Sequence, residues 1–506
     1  MPCTFSIIVW AHDTNEVFYR DMLESLVQQN YDNFEVYILD EAYDDYFGRV
    51  LTEFFPENPD VHYRKLKKNT GGAYAYNIGA HFATCDYVVF LGQHDRISPG
   101  TLYDLSAHIN NNHGLCDLIY TDHAEIHGLN VEKPHFKGGF NKELLLRTNY
   151  IGDFIVVKND ALRRIGDFNE KLKYAYVYEY IFRCAYKGLK IYNVPSMLYF
   201  RRMEAIILTK EVRKQQLKIY REYISVVKAQ IRLLETNAEV IEDKKQRFLT
   251  LKYSPEGFKR NGKDYILMRD DDVRLLTKKA PQIMYGYLQA KDVAVVGIRF
   301  LSRAFTIDNI GYIYDESGNI YPAFHGHKIY QESYERLDTF PRDVSMVDPG
   351  YCMLDAKIYR YLGGMDPSLT GREAMLDYCL RAIEAGFRVV VAPELVGRYN
   401  AKEIISSEQS HDMFMKKHFL DIKKGDKYYS PNLVMGMQNY ILVGENDESS
   451  SGEGPVNINE SLSGPSGTIT VTTAPDPYGT ANVAPEPEGN YVEPGMFFDN
   501  LDSTPK

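Results

Sequence analysis

The stretch CDYVVFLGQHD, residues 85–95, joins an apolar run directly to a polar cluster. The run YVVFL predicts a buried β-strand, and a single acidic residue, Asp95, follows it after Gly92, Gln93 and His94. Hard divalent cations are held in proteins by several oxygen ligands, among them carboxylates. With one carboxylate, this cluster is a metal site with unusual ligands, a metal site that has been lost, or only a loop.

The residues around this stretch alternate between strand and helix patterns. Apolar runs typical of strands occupy residues 5–11, 34–40, 61–66 and 87–91, and helical spacing occupies residues 18–29 and 77–84. This order predicts an α/β fold with a mainly parallel sheet and helices on both faces. Because ligands bind beyond the carboxyl ends of the strands in such sheets, we expect the polar pairs there to form one site. These pairs are His12 with Asp13, Asp40 with Glu41, and His94 with Asp95.

Length and composition are typical of a globular protein with more than one domain. The chain has 506 residues, of which 44% are hydrophobic and 25% charged, and this predicts two or three domains. Its six cysteines are scattered without a CxxC pair, which favours reduced thiols in a cytosolic protein over a zinc site. No apolar run reaches a membrane-spanning length and the N-terminus lacks a basic leader, so we expect neither a transmembrane segment nor a signal peptide.

The negative charge is concentrated at the C-terminal end. Residues 444–506 hold eleven Asp and Glu and one Lys, a net of −10 out of the chain's net charge of −11. The rest of the chain is therefore nearly neutral, and without a basic surface nucleic acid is a poor candidate partner. The same segment is rich in Gly, Ser and Pro, and this composition predicts a disordered acidic tail.

Two alternating blocks precede this tail, and a helical region separates them. The second block contains the acidic run RDDDV at residues 269–273. GLKIYNVP at residues 188–195 resembles GFRVVVAP at residues 386–393, and this similarity indicates two diverged copies of one unit. The predicted domains are residues 1–205, a helical connector at 206–250, a second α/β domain at 251–443, and the tail at 444–506.

Several motifs of the first block resemble those of the family 2 glycosyltransferases, whose fold is called GT-A. These motifs are SIIVWAHDTNE, LESLVQQNYDNFEVYILDEAYDD and NTGGAYAYNIGAHFATCDYVVFLGQHD. The resemblance covers about residues 4–202 and is greatest to the bacterial cell-surface polysaccharide and O-antigen branch. The second block resembles the same family from the metal-binding strand onward, so it is expected to be a truncated copy without a nucleotide pocket.

The resemblance implies a nucleotide diphosphate sugar of the UDP or dTDP type as donor, and a glycan or lipid-linked glycan as acceptor. It places donor-binding residues at His12, Asp13, Asp40, Asn69, Gly72 and Asn77. It also implies Mn²⁺ or Mg²⁺, held by Asp95 with His94, although Gly92 stands where the first aspartate of the metal motif is expected. Of the two ions, Mn²⁺ tolerates an imidazole ligand better.

The position of the catalytic base departs from the family pattern in both copies. In AYVYEYIFR, residues 175–183, the base position holds Val177, and in the second copy it holds Met375. Glu179, two residues after Val177, is the candidate base of the first copy, and Glu373 is the alternative in the second. Two hypotheses follow: a hexosyl- or deoxyhexosyltransferase for a surface polysaccharide or glycoconjugate, or a catalytically impaired relative that acts as a binding or scaffold partner of another glycosyltransferase. Either protein is expected in the cytoplasm, at the inner face of the cell membrane.

Overall fold

The computed structural model covers most of the two predicted blocks. The residues that it describes are 2–12, 15–67, 70–128, 130–203, 209–233, 238–242, 249–253, 264–331, 333–400, 407–436 and 439–442. The predicted tail, residues 444–506, lies outside the described residues, as do the predicted site residues Asp13 and Asn69.

The first block forms a nine-stranded sheet with helices packed against it. Its strands are β1 (Phe5–Ala11), β2 (Phe34–Asp40), β3 (Val61–Lys65), β4 (Tyr87–Leu91), β5 (Arg96–Ile97), β6 (Leu118–His127), β7 (Asn130–His135), β8 (Ile155–Lys158) and β9 (Ile191–Met203). Its helices are α1 (Glu16–Val27), α2 (Tyr46–Phe54), α3 (Gly72–Phe82), α4 (Thr101–Asn111), α5 (Lys142–Leu145), α6 (Asn159–Ile165) and α7 (Tyr176–Tyr186).

The strand order of this sheet is β3-β2-β1-β4-β8-β6-β9-β5, and β7 pairs with β6. Strands β1 to β4 are mutually parallel and β6 is parallel to β9, whereas β5, β7 and β8 run the other way. Strands β1 and β4 are almost wholly buried, as expected for central strands that are covered on both faces. The predicted α/β class with a mainly parallel sheet is confirmed.

The predicted helical connector is shorter than its sequence pattern indicated. Helix α8 (Lys210–Leu233) ends well before residue 250, the predicted end of the connector, and two antiparallel strands follow it, β10 (Ala238–Glu242) and β11 (Leu249–Tyr253). The sequence of β10 is AEVIE, and its two β-branched residues, Val240 and Ile241, favour a strand over a helix. The helical prediction is therefore wrong for residues 238–242.

The second block forms a seven-stranded sheet and a separate two-stranded one. Its strands are β12 (Tyr265–Arg269), β13 (Val273–Leu275), β14 (Val293–Leu301), β15 (Ile307–Asn309), β16 (Tyr312–Tyr314), β17 (Ile320–Pro322), β18 (Arg342–Asp343), β19 (Tyr351–Asp355) and β20 (Arg388–Tyr399). Its helices are α9 (Ala280–Leu288), α10 (Ala356–Tyr361), α11 (Gly371–Glu384) and α12 (Glu408–Ile422).

The larger sheet of the second block repeats the strand order of part of the first sheet. Its order is β12-β19-β14-β20-β13, with β15 on β14, which matches β4-β8-β6-β9-β5 with β7 on β6. The directions match too, because only the pair β14–β20 is parallel along this path, as is only β6–β9 along the other. Within the described residues, the second sheet has no strands in the places of β1, β2 and β3.

The two blocks meet through buried polar contacts around helix α5. Arg388 at the start of β20 binds Glu143 of α5 at 3.1 Å and Asp343 of β18 at 3.0 Å. The side-chain nitrogen of Asn141 donates to the carbonyl oxygen of Asp343 at 2.8 Å, and the Asp343 N–H donates back to Asn141 Oδ1 at 2.9 Å. These contacts fix helix α5 of the first block against the second block. No helix within the described ranges is long and apolar enough to cross a membrane.

Candidate functional site

A pocket lies beyond the carboxyl ends of β1 and β4, where the sequence predicted a site. It encloses about 530 Å³ of empty space, a volume that includes open solvent at its mouth. Its lining is aromatic and acidic: Trp10, His12, Tyr76, Gly92, Gln93, Asp95, Asp153, Tyr174, Tyr176 and Tyr199. Of the predicted site residues, His12 and Asp95 therefore come together on one wall.

A pair of stacked rings forms the wall at the end of β1. The rings of Trp10 and His12 lie 3.9 Å apart between centroids, at an angle of 14°. The His12 N–H donates to Gln93 Oε1 at 2.7 Å, and the Gln93 side-chain nitrogen lies 3.3 Å from His12 Nε2. Gln93 thereby ties the end of β4 to the end of β1, and it holds the imidazole in place under the indole.

Glu41 fixes the loop that leads into helix α3. Its carboxylate accepts hydrogen bonds from Trp10 Nε1 at 3.2 Å, from the Gly71 N–H at 3.0 Å, and from both the N–H and the hydroxyl of Thr70. A β-carbon at Gly72 would lie 2.4 Å from the Tyr176 hydroxyl and 2.7 Å from the Trp10 ring. Only glycine fits there, because the aromatic wall of the pocket packs directly on the backbone of this loop.

Two of the predicted donor-binding residues lie behind the pocket rather than on its wall. Asp40 is fully buried and accepts hydrogen bonds from the Ala42 N–H at 2.6 Å, the Tyr63 hydroxyl at 2.5 Å and Lys65 Nζ at 3.0 Å. The side chain of Asn77 exchanges two hydrogen bonds with the backbone of Phe168, at 2.7 and 3.0 Å. Both side chains stabilise the loops around the pocket, and their contact with a donor stays a prediction.

Asp95 is bound within the protein through both carboxylate oxygens. Oδ2 accepts from the Tyr199 hydroxyl at 2.6 Å, and Oδ1 accepts from the Arg202 N–H at 2.8 Å. A β-carbon at Gly92 would lie 2.1 Å from Asp95 Oδ2, so the carboxylate occupies the space that a side chain at position 92 would need. The other predicted metal ligand, His94, is also buried, and its carbonyl oxygen accepts from Arg202 Nε at 2.9 Å.

Asp95 and His94 do not fit the divalent cation that the family resemblance implies. Mg²⁺ requires near-octahedral coordination, mostly by oxygen, and Mn²⁺ also favours oxygen ligands, so at least one further carboxylate is expected beside Asp95. Asp95 is only 1% exposed, and position 92 contributes no side chain. In the part of the chain that the structure describes, no three His, Cys, Asp or Glu side chains are grouped so that they could hold a metal ion.

The candidate base Glu179 does not line the pocket. Its carboxylate forms an ion pair with Arg183 one turn later in α7, at 2.8 Å. Burial raises the pKa of Glu179 above its ordinary value, against the opposing effect of Arg183. Val177, at the base position of the family motif, is 2% exposed and belongs to the apolar core. Helix α7 therefore contributes the Tyr176 side chain to the pocket but no carboxylate.

Asp153 is the second carboxylate of the pocket, and sequence reasoning missed it. It lies in the loop just before β8, in NYIGDFIVVK. Beside it, Lys137 Nζ donates to the carbonyl oxygen of Ile151 at 2.8 Å and so holds this loop. Burial lowers the pKa of Lys137 to about 8, although Asp122 opposes the shift. The only signal in the sequence was an acidic residue directly before an apolar strand.

Comparison with known proteins identifies the family of the first block. Residues 6–166 match the model of the glycosyl transferase family 2. The O-antigen biosynthesis protein RfbC of Myxococcus xanthus is 28% identical over 204 residues, which cover 39% of this chain and 16% of that protein. The poly(ribitol-phosphate) β-N-acetylglucosaminyltransferase TarS of Staphylococcus aureus is 27% identical over 178 residues, which cover 34% of this chain and 30% of that protein. The chain thus spans less than a third of the length of either relative.

Solved structures give a more distant likeness. The structure of S. aureus TarS 1–349 in complex with UDP-GlcNAc matches with 19% identity and a TM-score of 0.36, over 45% of this chain and 66% of that one. A structure of GalNAc-T7 with UDP, GalNAc and Mn²⁺ matches with 14% identity and a TM-score of 0.35, over 40% of this chain and 44% of that one. The match to the family 2 model over residues 6–166 agrees with the motifs of the first block and with its α/β sheet.

Proposed function

We propose that this chain transfers a hexosyl or deoxyhexosyl group from a UDP- or dTDP-type sugar to a glycan or lipid-linked glycan of a surface polysaccharide or glycoconjugate. The observation that carries the proposal is the pocket at the strand ends, which lies largely within the family-matched residues. The names of the relatives, an O-antigen biosynthesis protein and a poly(ribitol-phosphate) N-acetylglucosaminyltransferase, support this class of acceptor. A cytoplasmic location at the inner face of the membrane belongs to the same proposal.

The stacked rings of Trp10 and His12 are suited to hold the planar base of the donor. Aromatic faces bind nucleobases by stacking, which contributes about 1–3 kcal/mol per base. Gln93 contacts the His12 ring and Glu41 accepts a hydrogen bond from the Trp10 ring. Both rings are therefore held in place, and little side-chain entropy remains to be lost on binding. The hydroxyls of the pocket tyrosines supply hydrogen-bond partners for the sugar.

Asp153 is the residue that we expect to accept the proton of the acceptor hydroxyl. Such a base must lie within hydrogen-bond reach of the hydroxyl that attacks the donor. Of the two pocket carboxylates, Asp95 already accepts hydrogen bonds on both oxygens, whereas Asp153 lies on a loop at the pocket wall. Glu179, the base that the sequence suggested, faces Arg183 instead.

Titration calorimetry with UDP and with dTDP tests the donor site. Saturable binding is expected, and Trp10→Ala should weaken it by about 1–3 kcal/mol, the value of one stacked base. Tyr103→Ala, at an aromatic residue of α4 that is 59% exposed, is the matched control and should leave the affinity unchanged. If no nucleoside diphosphate binds, the transferase proposal is wrong.

Transfer assays then test the base. Asp153→Asn should lower kcat by about a hundredfold or more, the usual contribution of a general base, and leave UDP affinity within about twofold of the wild type. Glu179→Gln is the matched control, and it should retain most of the activity if Glu179 only pairs with Arg183. If Glu179→Gln alone loses activity, Glu179 of helix α7 is the base and the proposal for Asp153 is wrong.

A further inference from the structure

The turn at residues 92–95 is fully engaged in contacts within the protein. The Asp95 N–H donates to the Gly92 carbonyl oxygen at 3.3 Å, which closes the turn. The Gln93 side chain points to His12, and the His94 carbonyl oxygen accepts from Arg202. The Asp95 carboxylate folds back over Gly92. This turn occupies the place of a metal motif, yet each of its polar groups named here already contacts a neighbouring strand or loop.

Arg202 supplies a fixed positive charge at this turn. It is 2% exposed, and its guanidinium donates to the His94 carbonyl oxygen at 2.9 Å, to the Gly128 carbonyl oxygen at 2.8 Å and to the carboxylate of Asp21. Its backbone N–H donates to Asp95 Oδ1 at 2.8 Å. One oxygen of the carboxylate that a metal would need is therefore already bound by the backbone of a buried arginine, whose guanidinium lies beside the turn.

A divalent cation at this place would have to displace protein contacts rather than fill an open coordination site. It would compete with the Tyr199 hydroxyl and the Arg202 N–H for the oxygens of Asp95. It would also lie near a buried guanidinium, and like charges repel strongly where water is excluded. Because no second carboxylate stands at position 92 or 94, no gain offsets these costs.

We infer that this pocket binds a nucleoside diphosphate without a divalent cation held by the 92–95 turn. The inference rests on the proposed function, because it concerns the binding of the same donor. It departs from the metal dependence that the family resemblance implies, and the reason lies in this chain's own residues: Gly92, the burial of His94, and the closure of Asp95 by Tyr199 and Arg202.

Two measurements on the full chain test this inference. The first is calorimetric titration with UDP in excess EDTA and again in excess MnCl₂, where we expect dissociation constants that agree within about twofold. The second is titration of the protein with Mn²⁺ alone, in which the electron paramagnetic resonance signal measures the free ion. We expect the wild type to show no saturable Mn²⁺ site that is absent from Asp95→Asn. The melting temperature of Asp95→Asn shows whether that variant is folded.

The outcomes separate this inference from the proposed function. Equal UDP affinity with and without metal supports both. UDP binding that is about tenfold or more tighter in Mn²⁺ overturns the inference and leaves the transferase proposal standing. A Mn²⁺ site in the free protein that depends on Asp95 also overturns the inference. If neither UDP nor Mn²⁺ binds, the proposed function falls, while the conclusion that the turn holds no cation is supported.

Discussion

Replacing Arg388 with methionine tests whether the two blocks are one structural unit. Arg388 is 7% exposed, and its guanidinium contacts three carboxylates, of Glu143 at 3.1 Å, Asp343 at 3.0 Å and Asp292 at 3.0 Å. These carboxylates raise the pKa of Arg388 well above its ordinary value, although burial opposes them. Methionine keeps the packing volume but removes the charge, so three buried or half-buried carboxylates lose a partner.

The expected loss of stability follows from what remains around these carboxylates. Asp292 keeps Lys142 at 2.7 Å and Glu143 keeps Arg147 at 2.9 Å, so two of the three retain a cation. Asp343 loses its only cationic contact among the described residues and keeps the Glu143 N–H at 3.0 Å. Removing one partner of a buried ion pair costs about 3–5 kcal/mol, and we expect a value in that range.

Urea denaturation followed by circular dichroism measures this loss. Arg360→Met is the matched control, because the Arg360 side chain is 68% exposed and lies 3.8 Å from Asp264. An exposed pair contributes about 0–1 kcal/mol, so this control should unfold almost like the wild type. If Arg388→Met costs less than about 1 kcal/mol, the charge network at the junction contributes no more than a surface pair, and the reasoning from its burial is refuted.

Three further predictions concern the second block, the effect of low pH on stability, and the loop that leads into helix α3. Changing the three acidic residues of the RDDDV run together to asparagine should leave UDP affinity within about twofold in calorimetry, and a hundredfold loss would move the site there. A hydrogen bond from His418 helps to hold the pKa of Asp377 at about 2 despite burial, so its stabilisation is present above about pH 4 and lost as the pH falls towards 2. Urea unfolding of the wild type and Asp377→Asn should therefore differ at neutral pH and converge near pH 2. Gly72→Ala should weaken UDP binding at least about tenfold, because the added β-carbon would push the aromatic wall apart. Gly100→Ala is the control and should not weaken it, because a β-carbon there would lie 3.8 Å from its nearest neighbouring atom.

The sequence predicted the strands of the central sheet better than the helices. Strands β1, β2 and β4 have the predicted bounds, because each is a short run of buried apolar residues between polar ends. Helix α2 was missed, since YFGRVLTEF is short and has a glycine in its interior. Helix α3 begins at Gly72, five residues before the predicted start, because glycine is a poor helix former and gives no helical signal in the sequence.

The position of the site followed from topology, but its chemistry did not. Parallel strands end at the same edge, and this brings His12 and Asp95 into one pocket, whereas Asp40, Glu41 and His94 do not line it. The direction of each side chain depends on tertiary partners that no local pattern shows. Asp40 turns towards Tyr63 on the neighbouring strand, and Asp153 reaches the pocket from a loop before an antiparallel strand. Residues of this kind are found only once the loops are placed.

The registers of the two sheets show what became of the pocket in the second block. Ile97 pairs with Tyr199 in the first sheet, and Leu275 pairs with Gly397 at the matching place in the second. Asp95 lies two residues before Ile97, and Val273 lies two residues before Leu275, so Val273 is at the position that corresponds to Asp95. The metal-motif aspartate and the tyrosine that binds it are therefore both replaced by apolar residues.

The remaining pocket carboxylate is lost in the same way, and its space is filled. Phe90 pairs with Ile155 in the first sheet and Met268 with Cys352 in the second, so the place of Asp153, two residues earlier, is taken by Gly350. A β-carbon at Gly350 would lie 1.9 Å from the Tyr399 hydroxyl, which donates instead to Asp348 at 2.5 Å.

The second block keeps part of the strand order of the first, and one of its surfaces packs on the first block. That surface carries Arg388 and Asp343, which bind helix α5 of the first block. The acids of the RDDDV run stand at a strand end that has no nucleotide-binding strands beside it among the described residues. The second block therefore contacts the first through these buried polar groups, and we expect substitutions at the junction to alter stability before they alter UDP affinity.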